Sequence, residues 1–251
     1  MSNQPTQWTH SIQQIGPLKS AIIQPAQSSD IHEAIVLCHG FGAPGDDLVG
    51  IAELLIRQLR KYDRSPVLVF PEAPIDLAEY GMPGGRAWWP LNMARLMQLA
   101  EKNDFSEMRT EVPPGIDEAR EMLVETTQKI LDQYALPTSS LTLGGFSQGA
   151  MLATDTALRG LKTPPKCLAI LSGALICENI WKSFADRLNE TEVAQSHGRY
   201  DMILPIQTGR WLNAFFQENC SQVTYYEFDG PHTIPGEAYE MISRKSAADR
   251  T

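Results

Sequence analysis

The stretch LTLGGFSQGA, residues 141–150, joins a short apolar run to an alanine-containing helix start. Its first half is typical of a buried strand, and two glycines and Phe146 lead directly into Ser147. Small residues at such a junction allow a strand and a helix to pack closely. They also permit a sharp turn that holds a serine outward as a nucleophile. The rest of the sequence has to show whether these small residues serve only close packing or also hold Ser147 outward as a nucleophile.

Strand-like and helical segments alternate on both sides of this junction. Apolar runs or strand-like segments lie at 33–40, 66–70, 141–145, 167–173, 193–198 and 223–228. Helical patterns lie at 48–62, at 115–134, from Gln148, within 203–220 and at 236–248. Continuous apolar strands are typical of parallel sheets that are buried on both faces. The repeated strand–helix order therefore predicts an α/β fold with a mostly parallel central sheet and helices on both faces.

The amino-terminal part of the chain has a different pattern. Residues 18–25 alternate between polar and apolar side chains, which predicts an edge strand. The residues before them form a polar leader with His10 on the surface. This leader has no cationic start followed by an apolar core, so we expect no secretory signal and a cytoplasmic protein.

Composition limits the possible partners. The 251 residues carry a net charge of −9, which argues against nucleic-acid binding because such proteins present basic surfaces. No run approaches the roughly 18 apolar residues of a membrane span. The four cysteines have no spacing to each other or to histidines that suggests zinc, so we expect no metal. With 43% hydrophobic residues and no dividing linker, we expect one domain over 1–251.

A long connection at about 72–114 interrupts the strand–helix rhythm. Connections of this length are uncommon unless they serve function. This one contains Trp88, Trp89, Met93 and Met97. We expect a lid-like insertion in which these four residues bind substrate, with an apolar cover for the sheet as the alternative. An exposed apolar insertion would also serve a homodimer.

Ser147 lies in a Gly-x-Ser-x-Gly pattern, GFSQG, which is weak evidence alone. Its position between a predicted strand and a predicted helix is that of a nucleophile elbow, in which the serine backbone is strained. A serine hydroxyl needs a base, and five histidines are available. His232 follows the last predicted strand in a loop rich in Pro and Gly, where parallel sheets meet their ligands. We therefore predict His232 as the base.

The acid is expected between Ser147 and His232 in the chain, directly after a strand. Asp201 fits this position and would hold the His232 ring in the correct tautomer, with a helix N-cap as its alternative role. Asp229 is the rival, but it lies only three residues from His232, which gives poor geometry for orienting the ring. His197 is expected to shape the Asp201 loop instead.

An oxyanion hole needs two donors. We predict the backbone N–H groups of Gln148, which follows the serine, and of Phe41, which lies in the HGFG turn after an early strand. His39 of that turn is expected to bond to the loop backbone and to take no part in catalysis.

The ordered set HGFG, RAWWP, GGFSQGA, LSGAL, SHGRYDMILP and GPHTIP resembles α/β-hydrolases of the carboxylesterase/phospholipase type, which include acyl-protein thioesterases. The resemblance covers roughly residues 18 to 245. It implies a Ser147, Asp201 and His232 triad, the Phe41 and Gln148 oxyanion donors, and hydrolysis of carboxylic esters or thioesters without a cofactor. The insertion is longer and richer in Met than in compact thioesterases.

We therefore predict a serine hydrolase that forms an acyl-enzyme on Ser147, with a small acyl ester, a thioester or an acylated protein as substrate. A lysophospholipase or a peptidase with the same triad is the alternative within enzymes. A non-catalytic binding protein on the same fold is the alternative outside them.

Overall fold

The main sheet and a small hairpin account for ten strands in the part of the chain that the computed structural model describes. That part comprises residues 7–27, 31–102 and 104–245, apart from the side chains of Met93 and Lys245. The strands are β1 (Trp8–Ile15), β2 (Leu18–Pro25), β3 (Ala34–Cys38), β4 (Val67–Pro71), β5 (Ile75–Asp76), β6 (Arg86–Ala87), β7 (Leu141–Phe146), β8 (Cys167–Leu171), β9 (Glu192–Gly198) and β10 (Gln222–Phe228).

Eight of these strands form one sheet in the order β1-β2-β4-β3-β7-β8-β9-β10. The six strands from β4 to β10 in this order are parallel. At one side of them, β2 pairs antiparallel with β4, and β1 pairs antiparallel with β2. The chain passes from β3 to β4 on one side and later returns to β7 on the other side of β3. Such a switch point opens a crevice at the carboxyl ends of the strands.

Helices cover both faces of the sheet, which confirms the predicted fold class. The α-helices are α1 (Ala52–Arg60), α2 (Met93–Lys102), α3 (Ile116–Gln133), α4 (Gln148–Asp155), α5 (Glu178–Lys182), α6 (Ile206–Asn219) and α7 (Gly236–Lys245). Alternate residues of β3 belong to different cores. Ile35 and Leu37 pack with α1 and α7, while Val36 and Cys38 pack with α3, α4 and α6. None of the helices in the described residues is long and apolar enough to cross a membrane.

The prediction of an edge strand at residues 18–25 is wrong. This segment is β2, and it lies inside the sheet because β1 pairs with it along its whole length from Trp8↔Pro25 to Ile15↔Leu18. The polar leader therefore contributes the edge strand. Most other boundaries agree within a few residues, and the end of the last predicted helix, 246–248, lies outside the described residues.

The 72–114 connection has structure of its own. β5 and β6 pair as a short hairpin, with Ile75 opposite Ala87, and α2 follows. Its buried side chains join the core on the α3 and α4 face; they are Trp88, Trp89, Leu99, Phe105 and Met108. The carbonyl of Glu111 accepts a hydrogen bond of 3.0 Å from the N–H of Cys177. The apolar side of the insertion therefore packs into the core, and its role as a lid stays a prediction.

Candidate active site

Ser147 lies between the end of β7 and the first residue of α4. Its backbone has φ 55° and ψ −117°, a conformation that residues other than glycine rarely adopt. The two glycines beside it are required for packing. A Cβ at Gly145 would collide with the Cys38 carbonyl, and a Cβ at Gly149 would collide with the carbonyls of Cys38 and His39. The close approach of β7 and α4 to β3 thus confirms the predicted tight, strained turn.

The structure joins His232 to Asp201 and not to Asp229. His232 Nδ1 donates a hydrogen bond of 2.6 Å to Asp201 Oδ2. Asp229 is exposed and accepts a bond of 2.8 Å from Arg199 Nη1. With Nδ1 donating to a carboxylate, the neutral His232 ring has Nε2 as its acceptor. His10 and His32 are exposed, away from this pair.

Three N–H groups donate hydrogen bonds to the Asp201 carboxylate, and the His197 ring lies close to it. Oδ1 accepts bonds from the N–H groups of Ile203 at 2.9 Å and Leu204 at 2.8 Å. Oδ2 faces His232 and also lies 3.4 Å from Nε2 of His197. Burial alone would raise the pKa of Asp201, but the neighbouring N–H groups of His197, His232 and Leu204 outweigh it and hold the pKa well below its usual range. The carboxylate is therefore ionised at neutral pH. Asp201 does not cap α6, because the N-cap of that helix is Pro205; its bonds to Ile203 and Leu204 shape its own loop instead.

His197 has the structural role that its sequence position suggests. The ring is fully buried, and Nε2 donates a bond of 2.7 Å to the Leu204 carbonyl, which closes the Asp201 loop. A Cβ at Gly209 would overlap this ring, so a glycine at this point of α6 leaves room for it.

The loop that carries His232 is held from two sides. Ser172 Oγ donates a bond of 3.2 Å to the Thr233 carbonyl, and the Tyr200 N–H donates one of 3.0 Å to the Gly230 carbonyl. The His232 ring packs against Phe146, with 4.6 Å between ring centroids. Because Phe146 directly precedes Ser147, this contact brings the imidazole to the strand end that carries the serine.

The backbone donors at Ser147 are free to bind an anion. Within the described part of the chain, the N–H groups of Phe41 and Gln148 make no hydrogen bond. Gln148 is the first residue of α4, where the helix leaves its N–H groups unpaired and the helix dipole favours negative charge. The loop after β3 reaches this point through Gly40, at which a Cβ would lie 3.3 Å from the Ser147 Cβ.

His39 fixes the loop after β3, as predicted. Its Nδ1 donates to the Gly40 carbonyl at 2.8 Å, and its Nε2 accepts from the Ala73 N–H at 3.0 Å. Burial lowers the pKa of His39, which agrees with a neutral ring that both donates and accepts.

A cavity of about 380 Å³ opens beside Ser147. Most of its walls are apolar and come from the insertion, the Asp201 loop and α4. The lining includes Phe41, Trp89, Leu96, Leu99, Met108, Met151, Ile203 and Leu204, together with Ser147 and Gln148. The polar members Asn92, Arg95 and Glu111 come from the insertion. Such a cavity can hold an apolar chain next to the serine, and we call it the catalytic cavity.

Comparison with known proteins identifies the family. Residues 18–245 match the family model of phospholipases and carboxylesterases. The chain belongs to the phospholipase/carboxylesterase family. It is therefore a hydrolase of the carboxylesterase type, and the strand order described above is that of an α/β-hydrolase.

Relatives of this family member include thioesterases and esterases. It is 26% identical over 231 residues to acyl-protein thioesterase 1 of Saccharomyces cerevisiae, covering 89% of this chain and 94% of that protein. The structure of esterase PE8 matches with a TM-score of 0.70 and 26% identity, over 91% of this chain and 95% of that chain. Zea mays acyl-protein thioesterase 2 shares the fold, with a TM-score of 0.67 at 20% identity over 91% of this chain and 97% of its own.

The four residues predicted to bind substrate occupy different places in this hydrolase. Trp89 lines the catalytic cavity. Trp88 does not line it and lies behind the wall, where its Nε1–H donates a bond of 2.9 Å to the His39 carbonyl. Met97 is 61% exposed and also lies outside the lining. We therefore correct the expectation for Trp88 and Met97, while the side chain of Met93 lies outside the described part of the structure.

The side chain of Gln148 has a role that the sequence did not reveal. Its Oε1 accepts a bond of 3.0 Å from the Trp88 N–H, and its Nε2 donates one of 2.9 Å to the Trp89 carbonyl. The side chain thus fastens the tryptophan segment to the start of α4. The sequence predicts a role only for its backbone N–H, because an oxyanion hole is defined by backbone position.

Proposed function

We propose that this protein is a serine hydrolase that cleaves carboxylic esters or thioesters through an acyl-enzyme on Ser147. The observation that carries the proposal is the grouping at one sheet edge. The strained Ser147 and the residues that carry the unpaired N–H groups, Phe41 and Gln148, line an apolar cavity. The Asp201–His232 pair packs against Phe146, the residue directly before Ser147.

The mechanism uses each of these groups in turn. His232 Nε2 takes the proton of Ser147 Oγ as the oxygen attacks the substrate carbonyl. The N–H groups of Phe41 and Gln148 stabilise the oxyanion that develops. The imidazolium, stabilised by ionised Asp201, then protonates the leaving alcohol or thiol, and a water activated by His232 releases the acid from Ser147.

The substrates that we propose are acylated proteins and small acyl esters. The yeast relative is named an acyl-protein thioesterase, and esterase PE8 is named an esterase. The catalytic cavity supports this substrate class because its apolar walls suit a fatty acyl chain. A homodimer and a cytoplasmic location stay predictions.

Probe labelling and turnover test the proposal together. Wild-type protein is expected to react with a fluorophosphonate and to hydrolyse p-nitrophenyl esters and acyl-peptide thioesters. Ser147→Ala is expected to abolish labelling and to lower kcat by about 10³-fold or more. Ser139→Ala is a matched control, because Ser139 is an exposed serine just before the amino end of β7.

Three outcomes would contradict the proposal. Unchanged turnover in Ser147→Ala would exclude Ser147 as the nucleophile. An unlabelled, inactive wild-type protein would favour a non-catalytic binding protein. Cleavage of lysophospholipid or peptide amide in clear preference to ester and thioester would reassign the substrate class.

A further inference from the structure

A second apolar cavity, of about 180 Å³, adjoins the catalytic cavity and shares Phe41 with it. We call it the hairpin cavity, because its walls come from the β5–β6 hairpin, the loop after β3 and the segment after the tryptophans. Its lining consists of Phe41, Ile75, Leu77, Tyr80, Met82, Pro90 and Leu91. Phe41, Pro90 and Leu91 also line the catalytic cavity. The two cavities therefore meet at the residue that carries an unpaired oxyanion N–H.

The hairpin is joined by hydrogen bonds to the loop after β3. The Gly42 N–H donates to the Arg86 carbonyl at 2.9 Å, and the Arg86 N–H donates to the Ala43 carbonyl at 3.0 Å. Within the hairpin, the Leu77 N–H bonds to the Gly85 carbonyl at 2.9 Å. These bonds fix the hairpin cavity relative to Phe41, so its position beside the oxyanion site is built into the fold.

We propose that the hairpin cavity binds the leaving group of the substrate. This inference rests on the proposed function, because it needs a carbonyl that is bound at Ser147. The acyl chain and the leaving group diverge from that carbonyl in two directions. The larger cavity contains Ser147 and Gln148 and takes the acyl chain, and the cavity across Phe41 takes the alcohol or thiol side.

The lining defines the chemistry of the group that it binds. None of the described residues that line the cavity carries a charge, so a charged leaving group would lose its hydration without a partner. At about 30 Å³ for each water-sized group, 180 Å³ holds about six carbon-sized atoms. The cavity therefore fits a short alkyl chain of an alcohol, or an apolar side chain next to an acylated cysteine.

A leaving-group series tests this inference on the full-length protein. Hexanoate esters of the linear alcohols from methanol to octanol vary only the leaving group. For the wild type, we expect kcat/KM to rise about two- to fourfold per methylene, and to level off near six carbons. Met82→Asp places a carboxylate in the cavity wall, and we expect the ratio of kcat/KM for the hexyl ester to that for the methyl ester to fall about tenfold or more.

Met97→Asp is the matched control, because Met97 is an exposed methionine outside the lining of either cavity. It is expected to keep the wild-type ratio. Tyr80→Asp provides a second variant if Met82→Asp does not fold, because Tyr80 is 68% exposed. Fluorophosphonate labelling shows that each variant retains a formed active site.

Two results would overturn the inference. A hexyl-to-methyl ratio that is unchanged in the folded variants would place the leaving group elsewhere. Methyl esters of different acids vary only the acyl chain, and a change in that preference in Met82→Asp would show that the cavity holds the acyl chain instead. In both cases ester hydrolysis persists, so the proposed function stands; absence of any Ser147-dependent hydrolysis would contradict the proposed function itself.

Discussion

Replacement of Asp201 by asparagine tests whether Asp201 is the acid of the triad. The test depends on which atoms around residue 201 donate hydrogen bonds and which accept them. Asparagine has the same shape as aspartate, but one of its two terminal atoms is a donor. The N–H groups of Ile203 and Leu204 point at Oδ1, at 2.9 and 2.8 Å, and only an oxygen can accept from them. The amide nitrogen of the variant therefore faces His232.

This orientation forces the wrong tautomer on His232. An amide N–H that faces Nδ1 makes that nitrogen the acceptor, so the ring proton moves to Nε2. A protonated Nε2 in a neutral ring cannot take the proton of Ser147. A similar replacement in a serine protease lowers kcat by about 10⁴-fold for the same reason.

The structure limits how far a flipped amide could restore activity. Flipping would turn the amide nitrogen towards the N–H groups of Ile203 and Leu204 and leave both without an acceptor. Each unsatisfied group costs about 1–3 kcal/mol, so the flipped form lies about 2–6 kcal/mol higher. At 1.36 kcal/mol per tenfold, its population is about 1 in 30 to 1 in 26,000. We expect kcat to fall by about 10³-fold, within these bounds.

The assay compares kcat for p-nitrophenyl ester hydrolysis in Asp201→Asn and Asp229→Asn. Asp229 is the matched control, because it is exposed and pairs only with Arg199 in the described structure, and its variant is expected to keep kcat within about twofold. Urea unfolding verifies that both variants are folded. A larger loss in Asp229→Asn would reassign the acid, and a loss below tenfold in Asp201→Asn would refute the argument from the two backbone donors.

Two further predictions concern stability. Gln148→Met keeps the backbone N–H of residue 148 but leaves the Trp88 N–H and the Trp89 carbonyl without partners, so we expect the free energy of unfolding in urea to fall by about 2–4 kcal/mol; a fall below 0.5 kcal/mol would show that the side chain fastens nothing. Because the pKa of folded Asp201 lies below its usual range, its ionised form stabilises the protein above pH 4 and this contribution is lost as the pH falls further. The stability difference between wild type and Asp201→Asn should therefore shrink below pH 4, and a constant difference would contradict the lowered pKa.

The central parallel strands could be predicted because β3, β4 and β8 are buried at every position. β3, β4 and β8 read as continuous apolar runs, and burial on both faces is what produces such runs. β1 could not be found in this way. Its residues are mostly exposed, and its place in the sheet depends on backbone pairing with β2, for which the side-chain pattern carries little information.

The positions of Ser147, Asp201 and His232 could be predicted because each follows a strand, and parallel strands bring their carboxyl ends to one edge. The walls of the cavity could not. Trp88 and Trp89 are adjacent in an irregular segment. The bonds of their backbone to Gln148, and of the Trp88 Nε1–H to the His39 carbonyl, accompany the arrangement in which Trp89 faces the cavity. On α2, Leu96 and Leu99 line the cavity while Met97 lies on the exposed side, although all three look equally apolar in the sequence.

At the junction of residues 141–150, one backbone geometry serves both close packing and the proposed chemistry. Gly145 and Gly149 allow β7 and α4 to approach the carboxyl end of β3, where side chains would collide with the Cys38 carbonyl. That approach places the loop after β3 beside Ser147, and this loop carries the Phe41 N–H. The same contact fixes the first turn of α4, which presents the Gln148 N–H. The glycines therefore let packing bring the two proposed oxyanion donors to the strained Ser147.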